Sequence, residues 1–299
     1  MTTVEIDGRT LNLSNLDKVL YPQTGTTKAE IIDYYARIAP VMARHMEARP
    51  ITLVRYPNGV DDKHFFEKNC PKHKPEWLPT IAMDVSAKTK VEFCELDEPA
   101  AFVWTANLAA LELHPGLARK EDLDSPTVMV FDLDPGPPAT AVECAQVALW
   151  LREALERLSL EGFVKTSGKK GLQLYVPLNT PTSFEKTREM SLALAQVLER
   201  VHPDHVLTEM TKALRAGKVF IDWSQNARHK TTIGVYSLRA FERPTCSTPI
   251  TWDELEDGHA GGDPEAFRFE MSAVLDRVDR HGDLFAPVLE MQQELPAVS

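Results

Sequence analysis

Downstream of Thr27, apolar side chains recur at helical spacing, with Ile31, Tyr34, Tyr35, Ile38 and Val41/Met42 on one face. Thr27 and Glu30 stand in the relation of a capping box, so a helix is expected to begin there, with Pro40 as a candidate kink. Segments 99–113, 141–158 and 186–200 predict further amphipathic helices; in the second, Val142, Ala145, Ala148/Leu149 and Leu155 share one side. Between them lie β-branched and aromatic runs at 51–56, 127–133, 172–178, 219–223 and 232–238, which read as strands. Strands and helices are interleaved without regular alternation. That pattern disfavours a doubly wound parallel sheet and predicts an α+β fold, with mixed sheets in two lobes and an active-site cleft between them.

Composition narrows the class. The 299 residues, 43% of them apolar, can bury a large core, and no repeat or low-complexity linker interrupts them, so one catalytic domain over residues 1–299 is expected. No run approaches the roughly 18 to 20 apolar residues of a membrane span, and no basic-then-apolar leader opens the chain, which points to a cytoplasmic location. Cys70, Cys94, Cys144 and Cys246 are scattered without CxxC pairing and are expected to be reduced thiols. His64, Cys70 and His73 have metal-like spacing but lack an evident fourth ligand. A net charge of −11 excludes a generally basic surface, so any contact with nucleic acid must be local. Basic residues do cluster, at Lys165, Lys169 and Lys170 and again at Lys212, Arg215, Lys218, Arg228 and Lys230.

The strand at 127–134 ends in Asp132-Leu133-Asp134, followed by Pro135 and Gly136. Alternation puts both carboxylates on one face, where like charges are costly unless a cation neutralises them, and hard oxygen ligands suit Mg²⁺ or Mn²⁺. Sugar-nucleotide transferases carry the same Asp-x-Asp pattern, and surface strands can carry it idly. A second carboxylate, Asp222, sits in the apolar run 218–223 and calls for a metal or a basic partner such as a neighbouring Arg or Lys.

Ser167-Gly168-Lys169-Lys170-Gly171 lies between two strand-like runs, as in an anion-binding turn or a plain hairpin. Basic residues flank the Asp222 strand on both sides. Acids to hold metals, with Arg and Lys to neutralise phosphates, are what nucleotidyl transfer needs.

The motifs NLDKVLYP (15–22), YPNG (56–59), FFEKN (65–69), NLAALELH (107–114), FDLDPG (131–136), SGKKG (167–171), DWSQN (222–226) and YSLR (236–239) occur in order along the chain. In these the chain resembles the polymerase domain of the bacterial DNA-repair ligase LigD, of the archaeo-eukaryotic primase superfamily. The resemblance implies a primase-polymerase fold and a nucleotidyltransferase that adds nucleotides, ribonucleotides preferentially, to primer 3′ ends at DNA gaps or breaks. It implies that Asp132, Asp134 and Asp222 hold two Mn²⁺ or Mg²⁺ ions, and that His114, Ser167, Lys170, Gln173, Arg215, Lys230 and Arg239 surround a nucleoside triphosphate. Lys18 and Lys28 match a pocket for a downstream 5′-phosphate, and Phe65 and Phe66 match aromatics that stack on DNA. Without the resemblance, His114 reads as a packed or capping residue, the two lysines as surface residues, and the phenylalanines as core.

One position departs from the family pattern. Gln173 stands where a His is usual, and a neutral amide turned toward the triphosphate would hydrogen-bond without becoming cationic. No ligase or nuclease segment is recognised, so Ku and a separate ATP-dependent ligase are the implied partners, with a nucleoid-associated location. The rival functions are a DNA-end-binding module without activity, which needs no complete acidic triad, and a sugar-nucleotide glycosyltransferase, which leaves Asp222 and the 5′-phosphate lysines without purpose.

Overall fold

In the structure, a computed structural model describing residues 2–86 and 88–296, Thr27 caps helix α1 (Lys28–Met46). The Thr27 hydroxyl accepts from the Glu30 N–H, and the Glu30 carboxylate accepts from the Thr27 N–H at 2.7 Å. The predicted apolar stripe of Ile31, Tyr34, Tyr35, Ile38 and Met42 is buried, and Pro40 is accommodated within the helix.

The chain divides into two compact units. The first comprises Met1–Glu121, Thr231–Ser247 and Phe269–Gly282. Here α1 packs on α2 (Pro99–Asn107), and a five-stranded sheet forms from β1 (Ile51–Arg55), β2 (Phe65–Glu67), β3 (Thr80–Ser86), β4 (Thr89–Cys94) and β5 (Ala110–Pro115). β1 pairs antiparallel with β2 and with β5. The expected helix over 99–113 therefore stops at Asn107. Ala109 takes a positive φ of 56°, and the β-prone residues after it pair with β1, a tertiary contact that local periodicity cannot register. α2 is also not amphipathic: Ala100 through Ala106 are all buried.

Two further expectations change in this unit. Residues 232–238 form no extended strand; Tyr236 adopts a φ of 65°, and the run is held by the isolated bridge Leu238↔Cys246 and by the Tyr34 and Tyr35 hydroxyls. Cys70 and Cys94 are joined in a disulfide, because the Cys70 N–H donates to the Glu92 carbonyl and brings the two Cα atoms to 4.8 Å. Sequence spacing did not reveal this contact. The bond also removes Cys70 as a metal ligand, while His64 stacks on Tyr56 at 5.2 Å and His73 lies 6.3 Å from Trp104. Denatured protein kept without reductant is thus expected to expose two thiols, Cys144 and Cys246, and four after reduction. Thiol titration with a chromogenic disulfide checks this.

The second unit comprises Asp122–Lys230, Thr248–Arg268 and Asp283–Ser299. Its six-stranded sheet runs β9 (Val206–Leu207), β10 (Val219–Asp222), β6 (Val128–Pro135), β8 (Leu172–Pro177), β7 (Phe163–Thr166), β11 (Pro249–Ile250). Only β9 and β10 pair in parallel. α3 (Ala141–Glu156) and α4 (Phe184–Val201) pack against β6, close to the predicted segments 141–158 and 186–200. Val128, Met129, Val130 and Phe131 are buried, whereas at the strand's end Asp132 is half-buried, Leu133 buried and Asp134 exposed. The central strand thus surfaces on one face at its C-terminal end.

Candidate active site

Strand register builds the site in the second unit. Asp132 on β6 lies opposite Asp222 on β10 and opposite Gln173 on β8, and Gln173 lies opposite Lys165 on β7. Directly opposed residues on antiparallel strands project to the same face, so Lys165, Gln173, Asp132 and Asp222 form one row across four strands. Asp134, two residues on from Asp132, shares that face.

The row is joined by hydrogen bonds. Lys165 Nζ donates to Gln173 Oε1 at 2.5 Å, and Gln173 Nε2 donates to Asp132 Oδ1 at 3.0 Å. Gln173 is 2% exposed, and its amide lies within the sheet's face and bears on Asp132. Burial, then the Asp134 carboxylate and also Asp222, push the Asp132 carboxyl well above the usual carboxylate range, against the opposing effects of Gln173 and Lys165.

Asp222 is provided for locally. Its Oδ1 accepts from the Ser224 N–H at 2.9 Å and the Ser224 hydroxyl at 2.5 Å, and its Oδ2 accepts from Gln225 Nε2 at 3.0 Å. Lys230 Nζ in turn donates to Ser224 Oγ at 2.5 Å. These bonds answer the argument that this carboxylate requires a metal or a direct basic partner. Ser224 and Gln225 are the residues that sequence reasoning missed; DWSQN placed them beside Asp222 but did not reveal that they fold back onto it.

Arg215 lies over the Phe220 ring at 3.8 Å and 3.9 Å from the Asp134 carboxylate, while its Nη2 donates to the Met210 carbonyl. Two glycines allow this assembly. A Cβ on Gly136 would lie 1.8 Å from the Arg215 carbonyl oxygen, and one on Gly171 would lie 2.1 Å from the Leu133 carbonyl oxygen. Both glycines thus serve close backbone packing. Gly171 also donates to Ser167 Oγ at 3.1 Å, as Lys169 N–H does at 3.3 Å, so the hydroxyl gathers the N–H groups of the turn. Lys170 on that turn is exposed.

Three carboxylates share one face, and the repulsion of Asp134 and Asp222, added to burial, disfavours the charge on Asp132; such a set of hard oxygen donors fits a divalent cation. Among the described residues, no three His, Cys, Asp or Glu side chains converge as a ready-made cage. Asp222 would have to turn from Ser224 and Gln225 to join Asp132 and Asp134 around an ion. Buttressing this end of β6, the buried Asn226 side chain donates to the Val130 carbonyl at 2.7 Å and accepts its N–H at 2.9 Å, replacing a strand partner beyond the end of β10.

In the first unit, Glu112, 3% exposed, brings two predicted residues together. His114 Nε2 lies 3.0 Å from Glu112 Oε2, and Arg239 Nε donates to Glu112 Oε1 at 3.2 Å. Phe65 and Phe66 are 54% and 62% exposed, which rules out core packing for either, and the Phe66 ring lies 6.1 Å from that of His114. Lys18 Nζ donates to Asn58 Oδ1 and Lys28 Nζ to the Ser14 carbonyl. Burial, with the Lys18 and Arg55 charges, lowers the Lys28 ammonium to about 8. Lys28 is thus a buried residue and not a surface lysine.

The family described as LigD, primase-polymerase domain, matches residues 27–285. A multifunctional non-homologous end joining protein LigD from Mycolicibacterium smegmatis is 45% identical over 280 residues, covering 93% of this chain and 36% of the relative. A bifunctional LigD from Bacillus subtilis is 29% identical over 287 residues, covering 96% of this chain and 45% of that protein. The chain therefore spans less than half the length of these relatives. Among solved structures, the polymerase domain from Mycobacterium tuberculosis Ligase D in complex with DNA superposes with a TM-score of 0.87 at 40% identity, covering 95% of this chain and 99% of that one.

Proposed function

Because the chain belongs to the family of LigD primase-polymerase domains, we propose that it extends primer 3′ ends at DNA gaps or breaks, ribonucleotides preferred, in end-joining repair. The observation that carries this reading is the row that sets Asp132 opposite Asp222 with Asp134 on the same face, beside Arg215 and Lys230. Asp132, Asp134 and, once turned from Ser224 and Gln225, Asp222 would hold two Mn²⁺ or Mg²⁺ ions. When bound, such ions supply Lewis-acid stabilisation to the attacking and leaving oxygens. The primer 3′-hydroxyl oxygen bonds to the α-phosphorus of the incoming nucleotide as its proton passes to solvent, the bond from the α-phosphorus to the bridging oxygen breaks, and pyrophosphate leaves. Ser167, Lys170, Arg215 and Lys230 bind the triphosphate by charge-assisted hydrogen bonds, and His114 and Arg239 keep the nucleotide-facing role implied by the family. Gln173 acts on Asp132 instead. Ku and an ATP-dependent DNA ligase activity as partners, with a cytoplasmic, nucleoid-associated location, complete the reading. Among the described residues, no helix is long and apolar enough to cross a membrane.

Extension of a labelled primer on gapped DNA tests it. Templated addition is expected with Mn²⁺ or Mg²⁺ and not in EDTA, and ribonucleotides should outcompete their deoxy counterparts. A chain that binds gapped DNA but extends nothing under either metal is an end-binding module, and the polymerase reading fails.

Lys18 and Lys28 receive the downstream 5′-phosphate, with Phe65 and Phe66 stacking on DNA at that end. A Lys with a depressed proton affinity is charged below its folded value and neutral above it, so the preference for phosphorylated over unphosphorylated gaps should weaken as pH rises past about 8. Alanine at both positions should abolish it, each charge-assisted contact contributing about 1.5 to 3 kcal/mol. Fluorescence anisotropy with the paired gaps measures both effects. Equal binding of the two gaps by the unaltered protein at pH 7 would exclude the pocket.

A further inference from the structure

Lys165 is fully buried, an unusual place for an ammonium group that has only donors to offer. Its Nζ lies 2.5 Å from Gln173 Oε1 and 5.2 Å from the centre of the Tyr175 ring. Because Lys cannot accept, it selects one of the two orientations of the Gln173 amide: oxygen toward Lys165, and therefore N–H toward Asp132 Oδ1 at 3.0 Å. The opposite orientation would face an NH₂ to an ammonium and a carbonyl to a carboxylate. Strand register makes the alignment rigid, since the three residues are direct cross-strand partners on β7, β8 and β6.

We propose that Lys165 is a positioning residue for the metal site, pinning the Gln173 amide so that it holds Asp132 Oδ1 and leaves Oδ2 to a divalent cation. The inference rests on the metal-holding role given above to Asp132. Neither Lys165 nor Gln173 touches the ion; they orient the carboxylate that does, as outer partners of metal ligands do.

The test is Mn²⁺ binding by the full chain, followed by electron paramagnetic resonance, with melting in EDTA to verify folding. Lys165→Met is expected to weaken Mn²⁺ binding by about tenfold or more, the lower end of the range for outer partners of a metal ligand. Gln173→Leu should do the same. Since Lys165 acts through Gln173, the double variant should bind no more weakly than Gln173→Leu alone, whereas independent structural roles would add. Asp132→Ala serves as the control and should lose most binding. Unchanged affinity in Lys165→Met beside a defective Asp132→Ala overturns the positioning role and spares the metal reading. Additive losses in the double variant overturn the route through Gln173. If Asp132→Ala binds Mn²⁺ normally, the metal reading falls and this inference with it. Should Lys165→Met not fold, Lys165→Gln, which removes the charge but keeps a polar group, takes its place in the cycle with the same expected direction.

Discussion

Replacing Asp132 or Asp134 with alanine is expected to lower single-turnover primer extension by on the order of a thousandfold or more. Loss of a metal ligand forfeits several kcal/mol of charge stabilisation in the transition state, and roughly 4 kcal/mol corresponds to a thousandfold. The loss should not be one of folding. The folded protein disfavours the Asp132 charge through burial and its Asp134 and Asp222 neighbours, so Asp132→Asn removes repulsion while keeping shape. Melting of Asp132→Asn in EDTA at neutral pH should therefore match or exceed that of the unaltered protein, while its extension stays near background. A variant at either position that extends primers at the ordinary rate would remove these carboxylates from the reaction.

Gly136→Ala is expected to be the most damaging small substitution near the site. Its Cβ would meet the Arg215 carbonyl oxygen at 1.8 Å, so the backbone itself must move. The bonds at risk are Gly136 N–H to the Lys218 carbonyl, 2.8 Å, and Gly217 N–H to the Gly136 carbonyl, 3.0 Å. Overpacking of this kind costs about 1 to 3 kcal/mol, occasionally more. Activity should fall further than stability, because the displaced segment carries Arg215 toward or away from Asp134. Gly217→Ala is the comparison: its φ of 73° is unfavourable for alanine, by about 1 to 2 kcal/mol, but no atom stands within 4 Å of the added Cβ. Thermal melting and extension rates of the two variants together decide the matter, and equal behaviour would mean that the close approach at Gly136 does not support the site.

The sequence by itself determined the elements whose signals are local. The capping pair Thr27 and Glu30 and the stripe behind them specified α1, because hydrogen bonds three residues apart and a 3.6-residue period require nothing distant. Alternation likewise put Asp132 and Asp134 on one face. Tertiary structure decided what depends on partners far along the chain. Ala110–Pro115 became a strand because β1 was there to pair with it, although the run before it favours helix. Cys70 and Cys94, 24 residues apart, met because β4 places the Glu92 carbonyl beside Cys70. Gln173 meets Lys165 and Asp132 because register, a property of three strands at once, aligned them. Residue types announce what chemistry a side chain can do, and only cross-strand pairing and burial decide which neighbour it does it with.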